Sequence, residues 1–275
     1  MIGENTLLMT PHGFKRLKEL KLFDKVLTMY GTFEPIVYMS EWKDMTHKMT
    51  NSLGESFAVT DDLLLASNGE VSFISLKNVV KNNYKFGFMN ILHNVSYNKR
   101  DSCTYSEEEL YQMAVVVPSS MPKTLLYSSL EKRMAFMAGL IDSPMCAITE
   151  IEGVYTFYVA YDDFLVDFIT LVRSLGWCIE LSNNRTVIVK AIGSLLPIDL
   201  PIRDNYKVMS GQYSGYKRCI GIKSVTSEKM LGRGREIAVS GNSYLIGHSL
   251  IPIISSVMWW NKHNAFFCWF SIDIF

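Results

Sequence analysis

The sequence has no excess of charge of either sign. It contains 27 Lys and Arg against 27 Asp and Glu in 275 residues. A protein that binds nucleic acid usually carries an excess of Lys and Arg, because the release of counterions drives association. The even balance excludes binding through overall charge, so any DNA contact must come from local patches. The hydrophobic share of 48% is typical of a folding chain with one large or two modest domains.

Cysteine and histidine are few, and neither follows the spacing of a metal site. The five cysteines form no CxxC pair, and the five histidines show no ligand spacing. This pattern indicates neither a zinc site nor a disulfide framework. We therefore expect reduced, buried thiols at the five positions, which are Cys103, Cys146, Cys178, Cys219 and Cys268.

Long apolar stretches are also missing. The first ten residues, MIGENTLLMT, lack the basic start and apolar core of a signal peptide. The apolar tail that begins at Ile251 is interrupted by NKHN before it reaches the about 18 apolar residues of a membrane span. These features predict an intracellular protein, in the nucleus or cytoplasm, with no membrane partner. Residues 255–275 are an apolar tail of unknown status, which we interpret as a buried or adventitious extension.

The two ends of the chain have the pattern of short strands. Over residues 1–94, runs such as TLLMT, KVLTMY and SFAVT are separated by turn signals, among them PHG, Tyr30-Gly31 and Asn68-Gly69. Over residues 213–254, the runs GIKSVTSEKM, REIAVS and SYLIGHSLIPI return to the same pattern. We predict one all-β domain that is split between the two ends.

The middle region, residues 95–212, has a different pattern. SEEELYQMA and SSLEKRMAFMAGLID predict helices, the first with an acidic first turn after a Ser or Thr cap. Phe164, Phe168 and Val172 recur at helical spacing in a third helix, which Asp162 would cap. Strands are expected in pairs after the second and third helices. The predicted fold class is therefore mixed β and α+β, a split all-β domain interrupted by a single αββαββ lobe.

Several stretches resemble the conserved blocks of one protein family. GENTLLMTPHGFKRLKELKLFDKVLTMYG resembles the opening block of the Hint fold, FAVTDDLLLAS its second block, and EIAVSGNSYLIGHSLIPI its last two strands. LEKRMAFMAGLIDS followed by LVRSLG resembles the second motif of a two-motif LAGLIDADG homing endonuclease. The chain thus resembles the intein-type (Hint) and LAGLIDADG homing endonuclease family, in its fungal vacuolar ATPase branch. The resemblance covers most of residues 1–254 and implies a split Hint domain around one LAGLIDADG-type lobe.

The resemblance implies a splicing site whose reactive groups have been replaced. Splicing inteins carry Cys or Ser at the first position, Thr-x-x-His in the second block and His-Asn at the end. The matching positions hold Met1, then Thr60 with Leu63 in place of the histidine, then Ile253 and Ile254. Nucleophilic and acid–base steps each need their group within hydrogen-bond reach. We therefore expect no protein splicing.

The resemblance also implies a nuclease helix that has lost its acid. In the family, two motif helices pack through small residues, and each gives one acid to divalent metal ions that activate water. Ala138 and Gly139 match the packing residues, and Asp142 matches the earlier, usually structural aspartate. Pro144 stands where the metal-binding acid is expected. Mg²⁺ is the cofactor implied for any remaining DNA cleavage, which we expect to be weak or absent.

Only one motif helix is found, because residues 95–130 contain no second copy of the pattern. The first lobe is therefore predicted to be deleted. One-motif members of the family act as homodimers, so the resemblance leaves a homodimer through the motif helix as an alternative. Each copy would nevertheless bring Pro144 and not a carboxylate.

Local basic residues are the candidates for DNA contact. The resemblance implies double-stranded DNA as a partner, through a four-stranded sheet expected over residues 146–190. We expect the GRGR run at 232–235 to form a mobile loop, and Asp61-Asp62 to form a turn between strands and not a paired-carboxylate site. The candidate DNA-binding residues are Arg185, Lys190, Lys217, Arg218, Arg233 and Arg235.

Two functions fit these patterns. The first is a degenerate homing endonuclease that no longer splices, cleaves DNA weakly or not at all, and still binds DNA. The second is a catalytically silent Hint-fold protein with a binding or structural role. Salt-dependent DNA binding separates the two.

Overall fold

The fold contains three antiparallel sheets in the part of the chain that the structure describes. The structure is a computed structural model that describes residues 1–66, 73–81, 87–88, 95, 103–183, 185–192, 194–211, 213, 220–226 and 229–255. The turn predicted at Asn68-Gly69, the basic pair Lys217-Arg218 and the tail after Ser255 lie outside the described residues.

The elements follow one another in three groups along the chain. The first group is β1 (Ile2–Gly3), β2 (Leu7–Thr10), β3 (Gly13–Arg16), β4 (Lys25–Leu27), β5 (Phe33–Asn51), β6 (Ser56–Val59), β7 (Leu64–Ala66), β8 (Phe73–Ser75), α1 (Leu76–Lys81) and β9 (Gly87–Phe88). The second is α2 (Glu107–Val115), α3 (Leu130–Asp142), β10 (Cys146–Ile148), β11 (Val154–Tyr158), α4 (Asp162–Ser174), β12 (Cys178–Leu181) and β13 (Thr186–Lys190). The third is β14 (Ile220–Val225), β15 (Met230–Val239), β16 (Ser243–Ile246) and β17 (Ile251–Ile254).

Strands from the two ends of the chain interleave in two sheets. In one sheet β15 pairs over its whole length with residues 36–46 of the long strand β5, and β15 also pairs with β1. In the other sheet β16 pairs with β2 at Ile246 and Leu8, and β17 pairs with β7 at Ile253 and Leu65. Neither end can complete its sheets alone. We call strands β1–β9 together with β14–β17 the β module.

The GRGR run lies in strand β15, so the prediction of a mobile loop there was wrong. Arg233 pairs with Lys43 of β5, and Gly234 pairs with Trp42. A Cβ on Gly234 would come within 2.6 Å of Trp42 Cε2, and closer still to the carbonyl oxygen of Ile2. Glycine is present because β1 and the indole of Trp42 approach this backbone closely.

The middle region follows the predicted order of helix, two strands, helix, two strands in α3 through β13. Its sheet has the order β10-β11-β13-β12. The Ser106 side chain accepts a hydrogen bond from the Glu109 N–H, and Glu109 accepts one from the Ser106 N–H, so α2 begins with a reciprocal cap. The residue before α4 is Tyr161, and Asp162 is already its first helical residue. The prediction that Asp162 caps α4 was therefore wrong by one position.

Helix α4 joins this region to the β module through buried polar contacts. Arg173 Nε donates to the carbonyl of Ser249 at 3.2 Å, and its Nη2 donates to that of Leu250 at 3.3 Å. Thr170 Oγ1 donates to the carbonyl of His248 at 3.0 Å. Burial lowers the pKa of Arg173 to about 9, because desolvation disfavours the charged guanidinium. The loop between β16 and β17 is thus fastened to α4.

Cys178 is disulfide-bonded, whereas Cys103 and Cys146 are free and buried. The prediction of reduced thiols at all five positions was therefore wrong for Cys178, and Cys219 and Cys268 lie outside the described residues. The spacing of cysteines along the chain does not show which of them the fold brings together. In the described part of the chain, every helix is too short or too polar to cross a membrane.

Candidate functional site

The first candidate site is the place where the resemblance puts the splicing residues. The Met1 nitrogen donates to Thr60 Oγ1 at 2.9 Å, and the Thr60 N–H donates to the carbonyl of Met1 at 3.1 Å. The Leu63 N–H donates to the carbonyl of Thr60 at 3.2 Å. The structure therefore brings three of the predicted positions together. Leu63 presents a buried isobutyl group where a histidine would supply an imidazole.

The C-terminal positions lie on the neighbouring strand. Ile253 in β17 pairs with Leu65, two residues after Leu63. Ile253 is fully buried, and Ile254 pairs with Ser243 of β16. Neither side chain can act as a nucleophile, an acid or a base. The strand that would carry an asparagine for cyclisation is a packing element here.

A charged cluster lies next to this site and was not found from the sequence. The buried His47 places Nε2 2.8 Å from Asp61 Oδ1 and Nδ1 2.6 Å from the carbonyl of Thr226. Each ring nitrogen of His47 therefore lies within hydrogen-bond distance of an oxygen atom. Lys229 contacts the other oxygen of Asp61. The hydrogen bond from Lys229 lowers the pKa of Asp61, and the bond from His47 adds to this effect against desolvation.

This cluster binds distant parts of the fold together. Asp61 and Asp62 lie in the turn between β6 and β7, as predicted. His47 lies in β5 and Lys229 just before β15, so the three side chains join distant segments. Their separations in sequence follow no motif, and no signal in the sequence alone could have grouped them.

The second candidate site is the motif helix α3. Gly139 lies at the crossing of α3 and α2, and Ala138 beside it is fully buried. A Cβ on Gly139 would come within 2.7 Å of Ala114 Cβ, and closer still to the carbonyl oxygen of Tyr111. Helix α2 of the same chain therefore covers the face expected to receive a partner helix. A homodimer through this face would require α2 to leave.

The carboxylate of Asp142, at the end of α3, is fully engaged within the protein. Its Oδ2 accepts from the Tyr111 hydroxyl at 2.5 Å and from the Arg203 N–H at 2.7 Å, and its Oδ1 accepts from the Asp204 N–H at 3.2 Å. Burial and the hydrogen bond to Asp142 raise the pKa of Tyr111 above its ordinary value. Asp142 thus fixes the chain after residue 200 to the end of α3.

The ammonium group of Lys207 lies at the end of α3. Lys207 Nζ donates to the carbonyls of Ile141 at 2.9 Å, Ser143 at 2.9 Å and Cys146 at 3.2 Å. The carbonyl of Ile141 belongs to the last turn of α3, where an ammonium group stabilises the negative end of the helix dipole. Pro144 lies exposed between Ser143 and Cys146 and offers no oxygen from its side chain.

These residues do not fit the Mg²⁺ ions that the resemblance implies. Magnesium prefers carboxylate and water oxygens in an octahedral arrangement. The only motif carboxylate, Asp142, is held by three donors, and the Lys207 ammonium would repel a divalent ion from the same helix end. Across the described residues, no group of three or more His, Cys, Asp or Glu side chains could hold a metal.

The two candidate DNA-binding residues of the four-stranded sheet differ, because Lys190 is paired with an acidic side chain and Arg185 is exposed. Lys190 Nζ lies 2.6 Å from Glu180 Oε1 and 5.1 Å from the ring centroid of Tyr213. Arg185 is exposed in the turn before β13. An ion pair on the face expected to meet DNA reduces its attraction for phosphate.

The two arginines of β15 differ in their surroundings. Arg235 donates to the carbonyls of Leu17 at 3.2 Å and Leu20 at 2.8 Å, and forms an ion pair with Glu41 at 3.0 Å, so it holds the fold together. Arg233 is exposed and lies directly across from the exposed Lys43. The structure therefore brings one predicted residue, Arg233, together with a basic partner that the sequence did not indicate.

Comparisons with known proteins return intein domains among solved structures. The MchDnaB-1 intein aligns with TM-score 0.37 and 10% identity, covering 92% of this chain and 99% of that chain. A variant of the Ssp DnaB mini-intein aligns with TM-score 0.38 and 8% identity, covering 93% of each chain. The gp41-1 intein aligns with TM-score 0.27 and 17% identity, covering 34% of this chain and 66% of that chain; for a second gp41-1 structure the latter share is 59%. No family model and no curated protein matches the sequence. The chain is similar to these intein domains in being mostly β-sheet with a few helices.

Proposed function

We propose that the chain is a catalytically silent protein of intein and homing endonuclease descent, which neither splices nor cleaves DNA. One observation carries this proposal. At the end of α3, the Lys207 ammonium binds three carbonyls, and Pro144 replaces the acid that would hold a metal ion. Without a metal ion, water is not activated and the leaving oxygen of a phosphodiester is not stabilised.

The splicing positions support the same proposal. Thr60 and its contacts with Met1 keep the arrangement of the β module at this point, while Leu63 and Ile253 fill space. A nucleophilic displacement needs both a nucleophile and a general acid or base nearby. The role that is left is one of binding or structure.

The metal site is tested by titrating the full chain with Mn²⁺ and following the signal of the free aquo ion by electron paramagnetic resonance. We expect no binding to the chain at millimolar Mn²⁺, because Lys207 and the hydrogen-bonded Asp142 leave no ligand set. The matched control is Asp142→Asn, which we expect to give the same curve. Stoichiometric Mn²⁺ binding by the wild type that Asp142→Asn abolishes would contradict the proposal.

A second candidate function is DNA binding without cleavage, and the pair Lys43 and Arg233 favours it. Like charges directly opposite on neighbouring strands repel each other, and an anion between them relieves the repulsion. A phosphate backbone would supply such an anion.

Gel-shift titrations of the full chain on duplex DNA at several salt concentrations test this second function. We expect Lys43→Ala with Arg233→Ala to reduce the salt slope by about 2, because two phosphate contacts are lost. Arg185→Ala serves as the comparison, since it changes the slope only if DNA lies on the four-stranded sheet. If no duplex is retarded in a salt-dependent way, the second function is wrong and only the catalytically silent protein without DNA binding remains.

A further inference from the structure

An exposed apolar patch lies where the loop before β4 meets β5. Leu22, Phe23 and Val37 are 46%, 71% and 41% exposed. The Phe23 N–H donates to the carbonyl of Ile36 at 2.9 Å, and the Ile36 N–H donates to the carbonyl of Asp24 at 2.9 Å. The three apolar side chains therefore belong to two adjacent segments. We call Leu22, Phe23 and Val37 the apolar patch.

The backbone at Phe23 is unfavourable for an aromatic residue. Its φ is 71°, in the left-handed region where Cβ comes too close to the following carbonyl oxygen. Phe23 and Asp24 both bond to the single residue Ile36, which is the pattern of a β-bulge, and glycine is the usual first residue of a bulge with this backbone. The fold thus keeps a large ring in a costly conformation and turns it toward solvent. An exposed apolar group that is held in this way points to a segment that covers it.

The last described residue of the chain, Ser255, lies near the apolar patch. Its N–H donates to the carbonyl of Asn242 at 2.9 Å, and its Oγ accepts from the Val239 N–H at 3.1 Å. Val239 pairs with Ile36, the residue to which Phe23 bonds. Neighbouring strands lie about 5 Å apart, so three such steps place Ser255 roughly 15 Å from the backbone of Phe23.

The residues that follow Ser255 carry apolar side chains at a matching distance. Residues 257–260 read VMWW, and the tail from 256 to 275 contains a single lysine and a single aspartate. An extended chain advances about 3.3 Å per residue, so Trp260 reaches up to roughly 17 Å from Ser255. The first apolar run of the tail is therefore long enough to arrive at the patch, and burial there removes apolar surface of both partners from water.

A second exposed apolar surface lies at the other end of β15. Met230 and Leu231 are 66% and 63% exposed, and Leu231 pairs with the exposed Met45. Strand β15 runs from Met230 to Val239, so at about 3.3 Å per residue this surface lies roughly 30 Å from the point where the tail begins. Residues 257–260 cannot span that distance. Position along β15 thus distinguishes the two surfaces.

We propose that residues 257–260 fold back onto the apolar patch of the same chain and cover the ring of Phe23. The occupant belongs to the same chain because its first residue is fixed near the patch, which gives the tail a high effective concentration there. Burial of the ring offsets the cost of the left-handed backbone at this position. The start of the tail is then a part of the folded β module. This inference does not depend on whether the chain splices, cleaves DNA or binds it.

The test places the photo-crosslinker p-benzoylphenylalanine at position 23 of the full chain, in place of Phe23. Its ring occupies the same exposed position, so the fold is kept. After illumination and digestion, mass spectrometry should find crosslinks from position 23 to residues 257–260 within one chain. Crosslinks that avoid residues 257–260 would overturn the proposal. Crosslinks to the tail of a second copy, seen as a covalent dimer, would overturn it as well.

The matched control places the same crosslinker at position 231, in place of the exposed Leu231. We expect no crosslink from this position to residues 257–260, because the surface at that end of β15 is out of their reach. Equal yields from positions 23 and 231 would show that the tail adheres to any apolar surface. That result would also overturn the proposal.

A double-mutant cycle gives a second measurement, in which Phe23→Gly is combined with Trp259→Ser and Trp260→Ser. Glycine relieves the left-handed backbone equally with and without the two tryptophans, so this relief cancels in the cycle. We expect Phe23→Gly to raise the urea midpoint in the serine variant, and to raise it less or lower it when the tryptophans are present. Equal shifts in the two backgrounds would mean that the ring and the tail are not in contact, which would overturn the proposal.

Discussion

Gly234→Ala is expected to lower the free energy of unfolding by about 3 kcal/mol, at the upper end of the cost of overpacking a well-packed site. The added methyl group would overlap the carbonyl of Ile2 and the indole of Trp42 at once. The backbone of β1 cannot retreat, because Ile2 also pairs with Val59 of β6. The substitution therefore weakens the pairing of β1 with β15, which joins the two ends of the chain. Urea unfolding with an unchanged m-value measures it.

Gly232→Ala is the matched control in the same strand. The atoms nearest to a Cβ there belong to the side chain of Thr46, the closest at 2.8 Å. A side chain gives way more easily than a backbone, so we expect a loss of roughly 1 kcal/mol. Equal losses for the two variants would show that strand propensity, and not the approach of β1, sets the cost at Gly234.

Arg173→Met is expected to cost about 3 kcal/mol, because the two buried carbonyls that Arg173 satisfies would lose their donors. Methionine keeps much of the volume, so a cavity contributes little. Removing the buried guanidinium returns part of its desolvation penalty, which makes the loss smaller than the sum of two unpaired carbonyls. We expect the loss to appear as faster amide exchange in the loop between β16 and β17, together with a lower urea midpoint.

Arg185→Met is the control for Arg173→Met. Arg185 is exposed in a turn, so its replacement should change stability by no more than about 0.5 kcal/mol. If Arg173→Met also leaves stability and exchange unchanged, α4 is not fastened to the β module through its arginine.

The parts of the fold that depend on neighbours in sequence could be predicted. The spacing of Phe164, Phe168 and Val172 predicts α4, and all three are buried in it. Ser106 caps α2 by accepting a hydrogen bond from the N–H three residues later, which confirms the prediction of a Ser or Thr cap. These signals are local, so the sequence carries them without knowledge of the fold.

What could not be predicted depends on segments that are far apart in sequence. Gly234 is required because Trp42 and the carbonyl of Ile2 lie close to it. Neither neighbour is visible from the local sequence, so the glycines of GRGR led to the prediction of a loop. His47, Asp61 and Lys229 contact one another only because the fold brings together three segments that are distant in sequence. The importance of small residues in α3 was evident, yet nothing in the sequence showed that α2 covers Gly139.

The same limit applies to the candidate sites. The resemblance alone implies the replacements at Leu63 and Pro144, because they concern single positions in known motifs, and both stay predictions. That Lys207 binds the end of α3 could not be predicted, because 63 residues separate it from Pro144 in the numbering and no motif links the two. A replaced motif residue can be recognised in a sequence. The side chain that binds at the same place in the fold can be identified only from a structure.

We propose that the β module keeps a framework for splicing while its reactive groups are gone. The most direct measurement is mass spectrometry of the chain placed between two reporter domains, alone and with Met1→Cys, Leu63→His, Ile253→His and Ile254→Asn together. We predict only intact precursor for the unaltered chain, and release of the first reporter on addition of a thiol for the restored one. Cleavage or splicing by the unaltered chain would contradict the loss of chemistry, and a folded but inert restored chain would contradict the survival of the framework.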